Sequence, residues 1–137
     1  MSTAPLRNRA AAAGDTVAAT INPYLSYAEF RIAKHRAKPT SETFRYFRQT
    51  VHHSVLWMIV MRGHYVQKLP SLKECINEVQ ISKDTVRKII NGARAKGYLE
   101  WQSSPDDRRK KLVAPTKHCV AEFESLVDAY WRLIQGF

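Results

Sequence analysis

Two short amphipathic helical patterns, separated by only three residues, constrain the fold of this sequence more than any other feature. The first follows Ser71, which stands three residues before Glu74 in the spacing of a capping box. The second follows Ser82, a further candidate N-cap. Each pattern keeps one apolar face, made of Leu72, Cys75, Ile76 and Val79 in the first helix and of Val86, Ile89, Ile90 and Ala93 in the second.

The outward face of the second helix is polar and mostly basic. At 100° per residue, the residues opposite its apolar face are Asp84, Arg87, Lys88 and Asn91, with Lys83 at the edge. Two short helices joined by a tight turn are the arrangement with which a helix-turn-helix reads base edges in the major groove. Arg can pair with guanine and Asn with adenine, whereas Lys serves mainly phosphate. A merely solvated helix face is the simpler alternative.

A β-hairpin with a cationic tip is predicted directly after this helix. Gly97 provides a helix stop, and Leu99 and Trp101 then alternate with polar residues as in a half-buried strand. Residues 103–107 are rich in Ser, Pro and Asp, which favour turns. The basic residues before the return strand are Arg108, Arg109, Lys110 and Lys111. Such a tip can lie along phosphates and insert an Arg into a narrow minor groove.

These segments resemble the MarR family of winged-helix transcriptional regulators, from about Leu56 to about Leu126. Residues 104–116 are similar to the family's Asp-x-Arg wing and the strand end after it, and residues 81–86 to the Ile-Ser-x-x-Thr-Val opening of its recognition helix. Gln80 stands where the family usually has Gly, and Pro115 where it has Leu. The resemblance implies a mostly α fold with a small β-hairpin (α+β). The implied fold is a winged helix-turn-helix whose N- and C-terminal helices would form a dimerisation region.

The resemblance also implies residue roles and a class of function. Asp107 would brace the wing through Arg109, and Arg108 or Arg109 would enter the minor groove. Members of the family are homodimers, mostly repress by occluding promoters, and in many cases sense small phenolic or oxidant signals. We therefore expect a dimeric repressor of a palindromic operator, with a small-molecule effector left unassigned. The expected contacts to double-stranded DNA are Ser82, Lys83, Asp84, Thr85, Arg87, Lys88, Asn91, Arg108, Arg109 and Lys110.

The domain organisation follows from the same patterns. We expect a disordered tail over residues 1–20 and one MarR-like domain over residues 21–137, with the winged helix-turn-helix at about 54–118 and dimerisation helices at about 23–53 and 117–135. Asn22 and Pro23 form a helix-start signal, and that helix should end before Pro39. A second helix should end at Gly63 and carry an apolar stripe made of Phe44, Phe47, Val51, Val55 and Met58, widened by Leu56 and Ile59.

The C-terminal helix carries two overlapping apolar stripes, more than a single packed face requires. The excess favours burial against a second subunit, because a two-fold dimer suits a palindromic site. Packing within the chain against the helix at residues 44–61 is the alternative. The expected interface residues are Phe123, Leu126, Val127, Tyr130, Leu133, Ile134 and Phe137.

The net charge of the chain limits the classes of partner that it is expected to bind. A formal net charge of +10 favours nucleic acid or an anionic membrane surface. The longest apolar run, Val55–Met61, has far fewer than the ~20 residues that span a bilayer. The excess of basic residues lies within residues 21–118, and the C-terminal end is net acidic. We expect a cytoplasmic protein that binds DNA and no membrane.

No cofactor, metal or catalytic site is expected, and the chain is not expected to be an enzyme. Cys75 is interpreted as a small core residue. Cys119, next to His118, is either an inert residue at a helix start or a thiol with a lowered pKa. The second functional hypothesis is a winged-helix adaptor or anti-regulator that acts through protein contact and has only nonspecific affinity for DNA.

Overall fold

The computed structural model describes residues 22–36 and 41–136 of the chain. The expected disordered tail at residues 1–20 lies outside these residues. The described chain is mostly helical with one two-stranded antiparallel hairpin, so the predicted fold class is confirmed. The elements are α1 (Pro23–Arg36), α2 (Glu42–Phe47), α3 (Val51–Tyr65), α4 (Leu72–Val79), α5 (Lys83–Ala95), β1 (Leu99–Ser103), β2 (Lys111–Pro115) and α6 (Lys117–Gly136).

The chain divides into two compact units. The first, Pro39–Glu124, contains α2 to β2 and the first part of α6, and we call it the winged-helix unit. The second combines the described residues up to Arg36 with those from Ser125 onward, and we call it the helical unit. The predicted winged helix-turn-helix at residues 54–118 lies entirely within the first unit.

The core of the winged-helix unit lies between α3, α5 and the hairpin. Phe47 at the end of α2 stacks on Trp57 of α3, with ring centroids 4.8 Å apart. In the hairpin, Leu99 pairs with Pro115 and Ser103 with Lys111. The largest fully buried side chains are Phe47, Leu56, Met61, Ile90, Leu99, Val60, Val86 and Val113.

A short segment before α4 adds a third partner to the hairpin. Ser71 forms an isolated antiparallel bridge with Leu112, and the amide of Val113 donates to the carbonyl of Pro70 at 2.8 Å. The helix-turn-helix is thereby joined by backbone hydrogen bonds to the strand that leads out of the wing.

The long helix predicted from Phe44 to Gly63 is in fact two helices, α2 and α3. The chain breaks after Phe47 because polar side chains replace the helical hydrogen bonds there. Thr50 caps α3 by accepting from the amide of His53 at 3.2 Å, and the Ser54 hydroxyl donates to the carbonyl of Phe47 at 2.7 Å.

The prediction that Gly63 ends the helix was also wrong, because α3 continues to Tyr65. Gly63 instead lies close to the following segment, since a Cβ at Gly63 would lie 2.7 Å from Cδ of Pro70.

The break also changes which side of α3 is buried. The predicted stripe places Val51, Val55 and Met58 inside, yet these side chains are 74%, 39% and 45% exposed. The new helix start shifts the helical phase relative to α2, so the stripe does not continue across the break. Leu56 and Ile59, which widen the predicted stripe, are buried as expected, and Trp57, Val60 and Met61 complete the buried side of α3.

The helix-turn-helix itself follows the sequence pattern closely. The predicted capping box between Ser71 and Glu74 is present, and the Ser82 side chain accepts from the amide of Thr85 at 3.2 Å. Gln80 ends α4 in the left-handed region, at φ 61° and ψ 41°. The predicted apolar face of α5 is its buried face, formed by Val86, Ile89, Ile90 and Ala93.

In the helical unit, α1 begins where the sequence predicts. The Asn22 side chain accepts from the amides of Tyr24 at 3.0 Å and Leu25 at 3.2 Å. Phe30 of α1 meets Tyr130 of α6 edge to face, with ring centroids 5.5 Å apart. Within the described residues, no helix is both long enough and apolar enough to cross a bilayer.

Candidate nucleic-acid interface

The outer face of α5 and the hairpin tip line one cleft of about 1000 Å³ in the winged-helix unit. Arg87 and Asn91 reach it from α5, and Arg109 and Lys110 reach it from the wing. The start of α4 closes the third side. The full lining is Ser71, Leu72, Lys73, Glu74, Ile76, Lys83, Arg87, Asn91, Arg94, Trp101, Asp107, Arg109, Lys110 and Lys111.

The cleft contains six of the eleven residues predicted for the reading helix and wing. They are Lys83, Arg87, Asn91, Asp107, Arg109 and Lys110. The other predicted residues are exposed but do not line it; these are Ser82, Asp84, Thr85, Lys88 and Arg108. On α5, therefore, only part of the predicted polar face lines the cleft.

Eight lining residues were not predicted as contacts; they are Ser71, Leu72, Lys73, Glu74, Ile76, Arg94, Trp101 and Lys111. Arg94 lies seven residues after Arg87, so helical spacing alone places it on the same face and could have identified it. Lys73, Trp101 and Lys111 come from α4, β1 and β2. Only the packing of α4 and β1 brings Lys73 and Trp101 to the cleft, whereas Lys111 belongs to the basic run of the wing tip that the sequence shows.

The electrostatic character of the cleft is strongly positive. Its lining holds seven Lys or Arg residues and two acidic residues, Glu74 and Asp107. A concave surface lined by one sign of charge focuses its field and raises the local concentration of the opposite charge. A polyanion is therefore the ligand class that this surface favours.

The wing tip is held by hydrogen bonds within its own loop. Asp107 Oδ1 accepts from the amide of Arg109 at 2.9 Å, and the amide of Lys110 donates to the carbonyl of Asp107 at 3.0 Å. The amide of Ser104 donates to the carbonyl of Lys110 at 2.9 Å and closes the loop. The contact from Asp107 to the backbone of Arg109 orders the loop, while the Arg109 side chain lines the cleft.

One carboxylate connects the wing to α4. Glu74 Oε1 lies 3.6 Å from Lys110 Nζ and accepts from the Ser71 hydroxyl at 3.1 Å. Burial by itself raises the pKa of Glu74, but the hydrogen bonds from Ser71 and the charge of Lys110 outweigh it, so this pKa lies below its usual value. The ionised carboxylate therefore both caps α4 and attracts the wing.

The cysteines lie in the core and not in the cleft. Both are fully buried, and burial raises the pKa of Cys75 to about 12 and that of Cys119 to about 11. The alternative of a lowered pKa at Cys119 was therefore wrong, because loss of hydration at that site disfavours the thiolate. In the part of the chain that the structure describes, no group of three His, Cys, Asp or Glu side chains is placed to hold a metal ion.

The residues predicted for a dimer interface differ in their burial and in their contacts within the chain. Phe123 packs edge to face on Trp57, with ring centroids 5.3 Å apart, which is the intramolecular alternative. Tyr130 packs on Phe30 within the helical unit, and Leu126 is half-buried. Val127 is 43% exposed. The side chains of Leu133 and Ile134, and Phe137 as a whole, lie outside the described residues.

Comparison with known proteins finds solved structures with the same fold. No protein-family model and no curated protein matches the chain. Among solved structures, a MarR-like transcriptional regulator from Thermotoga maritima is 14% identical, with a TM-score of 0.61 over 85% of this chain and 80% of that one. MepR from S. aureus, solved in complex with DNA, is 16% identical, with a TM-score of 0.59 over 78% of this chain and 86% of that one.

A third structure is that of BpsR from Bordetella bronchiseptica, whose DNA binding is regulated by 6-hydroxynicotinic acid. It is 24% identical, with a TM-score of 0.51 over 82% of this chain and 74% of that one. Similarity at these levels of identity concerns the fold. The chain has the winged-helix fold of MarR-like transcriptional regulators.

Proposed function

We propose that this protein is a sequence-specific regulator of transcription that binds double-stranded DNA through the cleft between α5 and the wing. The observation that carries the proposal is that Arg87 and Asn91 of α5 line the same concave surface as Arg109 and Lys110 of the wing. A helix that reads one groove and a loop that reaches the next must face the same side of the protein. MepR, which shares the fold, was solved in complex with DNA, and this supports DNA as the ligand.

In this mode, α5 enters the major groove and the wing follows the backbone into the adjacent minor groove. Arg87 can pair with guanine O6 and N7, and Asn91 with adenine N6 and N7. Arg109 carries the charge that a narrow minor groove attracts. The remaining cations of the cleft bind phosphate; they are Lys73, Lys83, Arg94, Lys110 and Lys111.

We further propose that the protein acts as a dimeric repressor on a palindromic operator. The helical unit leaves large apolar side chains exposed, which favours contact with a second copy. They are Tyr24, Leu25, Tyr27 and Ile32 of α1 and Val127 and Trp131 of α6. Two-fold symmetry would then present two copies of the cleft to two half-sites.

The proposal is tested by selection from a random pool of duplex DNA, combined with the mass of the protein in solution. A regulator of this kind returns an enriched motif with two inverted half-sites and has the mass of a dimer. A protein that acts as an adaptor through protein contact returns no enriched motif, and its affinity for DNA is equal for all sequences. That second result would refute the proposal.

A further inference from the structure

One side chain of α2, Tyr46, forms a hydrogen bond with the backbone of the recognition helix α5. The Tyr46 hydroxyl donates to the carbonyl of Ile89 at 2.6 Å. The Tyr46 side chain is buried, and its ring lies 5.1 Å from that of Phe47 and 5.7 Å from that of Tyr98, measured between centroids. These neighbours leave the hydroxyl little freedom to move away from α5.

Gly92 is the residue that allows this approach. A Cβ built at Gly92 would lie 2.5 Å from the Tyr46 hydroxyl oxygen, which is too close for any real contact. The next nearest atoms, Cζ and Cε1 of the same ring, would be at 3.4 Å and 3.5 Å, which is ordinary packing distance. Among these three atoms, only the hydroxyl oxygen therefore excludes a Cβ at position 92.

The side of α5 that meets Tyr46 is opposite the side that lines the cleft. At 100° per residue, Ile89, Gly92 and Ala93 cluster on one side of the helix axis, and Arg87, Asn91 and Arg94 on the other. A small rotation of α5 about its axis would therefore swing the cleft side chains sideways by a comparable angle. Direct readout requires Arg and Asn to meet base edges in a fixed geometry, and it is sensitive to such a rotation.

We infer that Tyr46 is a positioning residue for DNA recognition: its hydroxyl, admitted by Gly92, fixes the rotation of α5 and hence the direction of Arg87 and Asn91. The inference rests on the proposed function, because it concerns how the cleft discriminates among base sequences. Phosphate contacts tolerate small displacements better than base contacts do. Loss of the hydroxyl should therefore reduce sequence discrimination more than overall attraction to DNA.

The test compares Tyr46→Phe with Tyr65→Phe, since the Tyr65 hydroxyl also donates a hydrogen bond at 2.6 Å, but to Glu124 of α6 and not to the backbone of α5. Each variant is titrated with the duplex selected by the wild type and with a scrambled duplex, and its thermal unfolding is followed. Tyr46→Phe should lower the ratio of selected to scrambled affinity roughly five- to tenfold. Tyr65→Phe should leave that ratio unchanged.

A double variant separates positioning from general loss of stability. Gly92→Ala should lower both the affinity ratio and the unfolding temperature in the wild-type background, where the new methyl group meets the hydroxyl. In Tyr46→Phe/Gly92→Ala the clash is absent and Ala is the better helix residue, so the double variant should be at least as stable as Tyr46→Phe alone.

Two results would overturn the inference alone: an unchanged affinity ratio in Tyr46→Phe, or equal damage by Gly92→Ala with and without the hydroxyl. If Tyr46 had a purely structural role, Tyr46→Phe would lower the unfolding temperature and leave the affinity ratio unchanged. That outcome is the first of the two results that overturn the inference. If the wild type selects no duplex at all, the proposed function fails, and the inference fails with it.

Discussion

Arg87 and Lys110 line the same cleft from α5 and from the wing, and their side chains should act on different parts of a duplex. Arg87→Ala removes a guanidinium that can bond guanine at two atoms, so binding should weaken by about 1–3 kcal/mol at one base position and change little elsewhere. The measurement is a competition titration with duplexes that each carry one substituted base pair.

Lys110→Ala is the matched comparison, because a Lys ammonium binds phosphate as a point charge and reads no base. All duplexes should weaken alike, and the slope of log affinity against log salt should become shallower by about 0.9 if one phosphate contact is lost. The two assignments are refuted if Arg87→Ala weakens every duplex equally, or if Lys110→Ala shifts base preference.

At the scale of elements, Glu74 connects α4 to the wing through an ionised carboxylate. Because its pKa in the folded protein is lowered, the carboxylate stabilises the fold at pH above its unfolded pKa, and that stabilisation is lost as the pH falls through the folded pKa. Glu74→Gln should therefore reduce the free energy of unfolding at neutral pH, with the difference from wild type closing below about pH 4.

The measurement for Glu74 is urea unfolding of both proteins across this pH range. A difference that stays constant from neutral to acid pH would show that the charge of Glu74 is not what stabilises α4 and the wing.

The turn between α4 and α5 offers a second prediction at this scale. Gln80 adopts φ 61°, a left-handed conformation that costs residues other than Gly about 1–2 kcal/mol. Gln80→Gly should raise the free energy of unfolding by about 1 kcal/mol. Asn77→Gly, in the exposed interior of α4, is the control and should not stabilise, since Gly is the poorer helix former. Destabilisation by Gln80→Gly would contradict the reading of this turn.

Helix starts could be predicted from the sequence because a cap is a local event, and Asn22, Ser71 and Ser82 all cap as expected. The break after Phe47 could not, since apolar steps of three and four continue across it and conceal Thr50 as a cap. The bridge between Ser71 and Leu112 is likewise too short to show an alternating pattern. Of the fourteen residues that line the cleft, three followed from the predicted face of α5 and three from the predicted wing, and most of the others depend on how α4 and the hairpin pack against α5.

For the whole molecule, the exposed apolar residues of the helical unit should hold two copies together. Trp131 is 53% exposed, and Trp131→Glu would place a charge in that interface. The variant should have the mass of a monomer by light scattering, and its affinity for the palindromic duplex should fall toward that for a single half-site. Val66→Glu, at an exposed apolar residue of the winged-helix unit, is the control and should remain dimeric. Equal masses for wild type and Trp131→Glu would exclude this interface.

The most direct test of the account is methylation protection of the selected duplex by dimethyl sulfate, which reports guanine N7 in the major groove and adenine N3 in the minor groove. The bound protein should protect both atoms within each half-site, with Arg87→Ala losing only major-groove protection and Arg109→Ala only minor-groove protection. Protection in one groove alone, or loss of both signals in either variant, would contradict a cleft that places α5 and the wing on the same duplex.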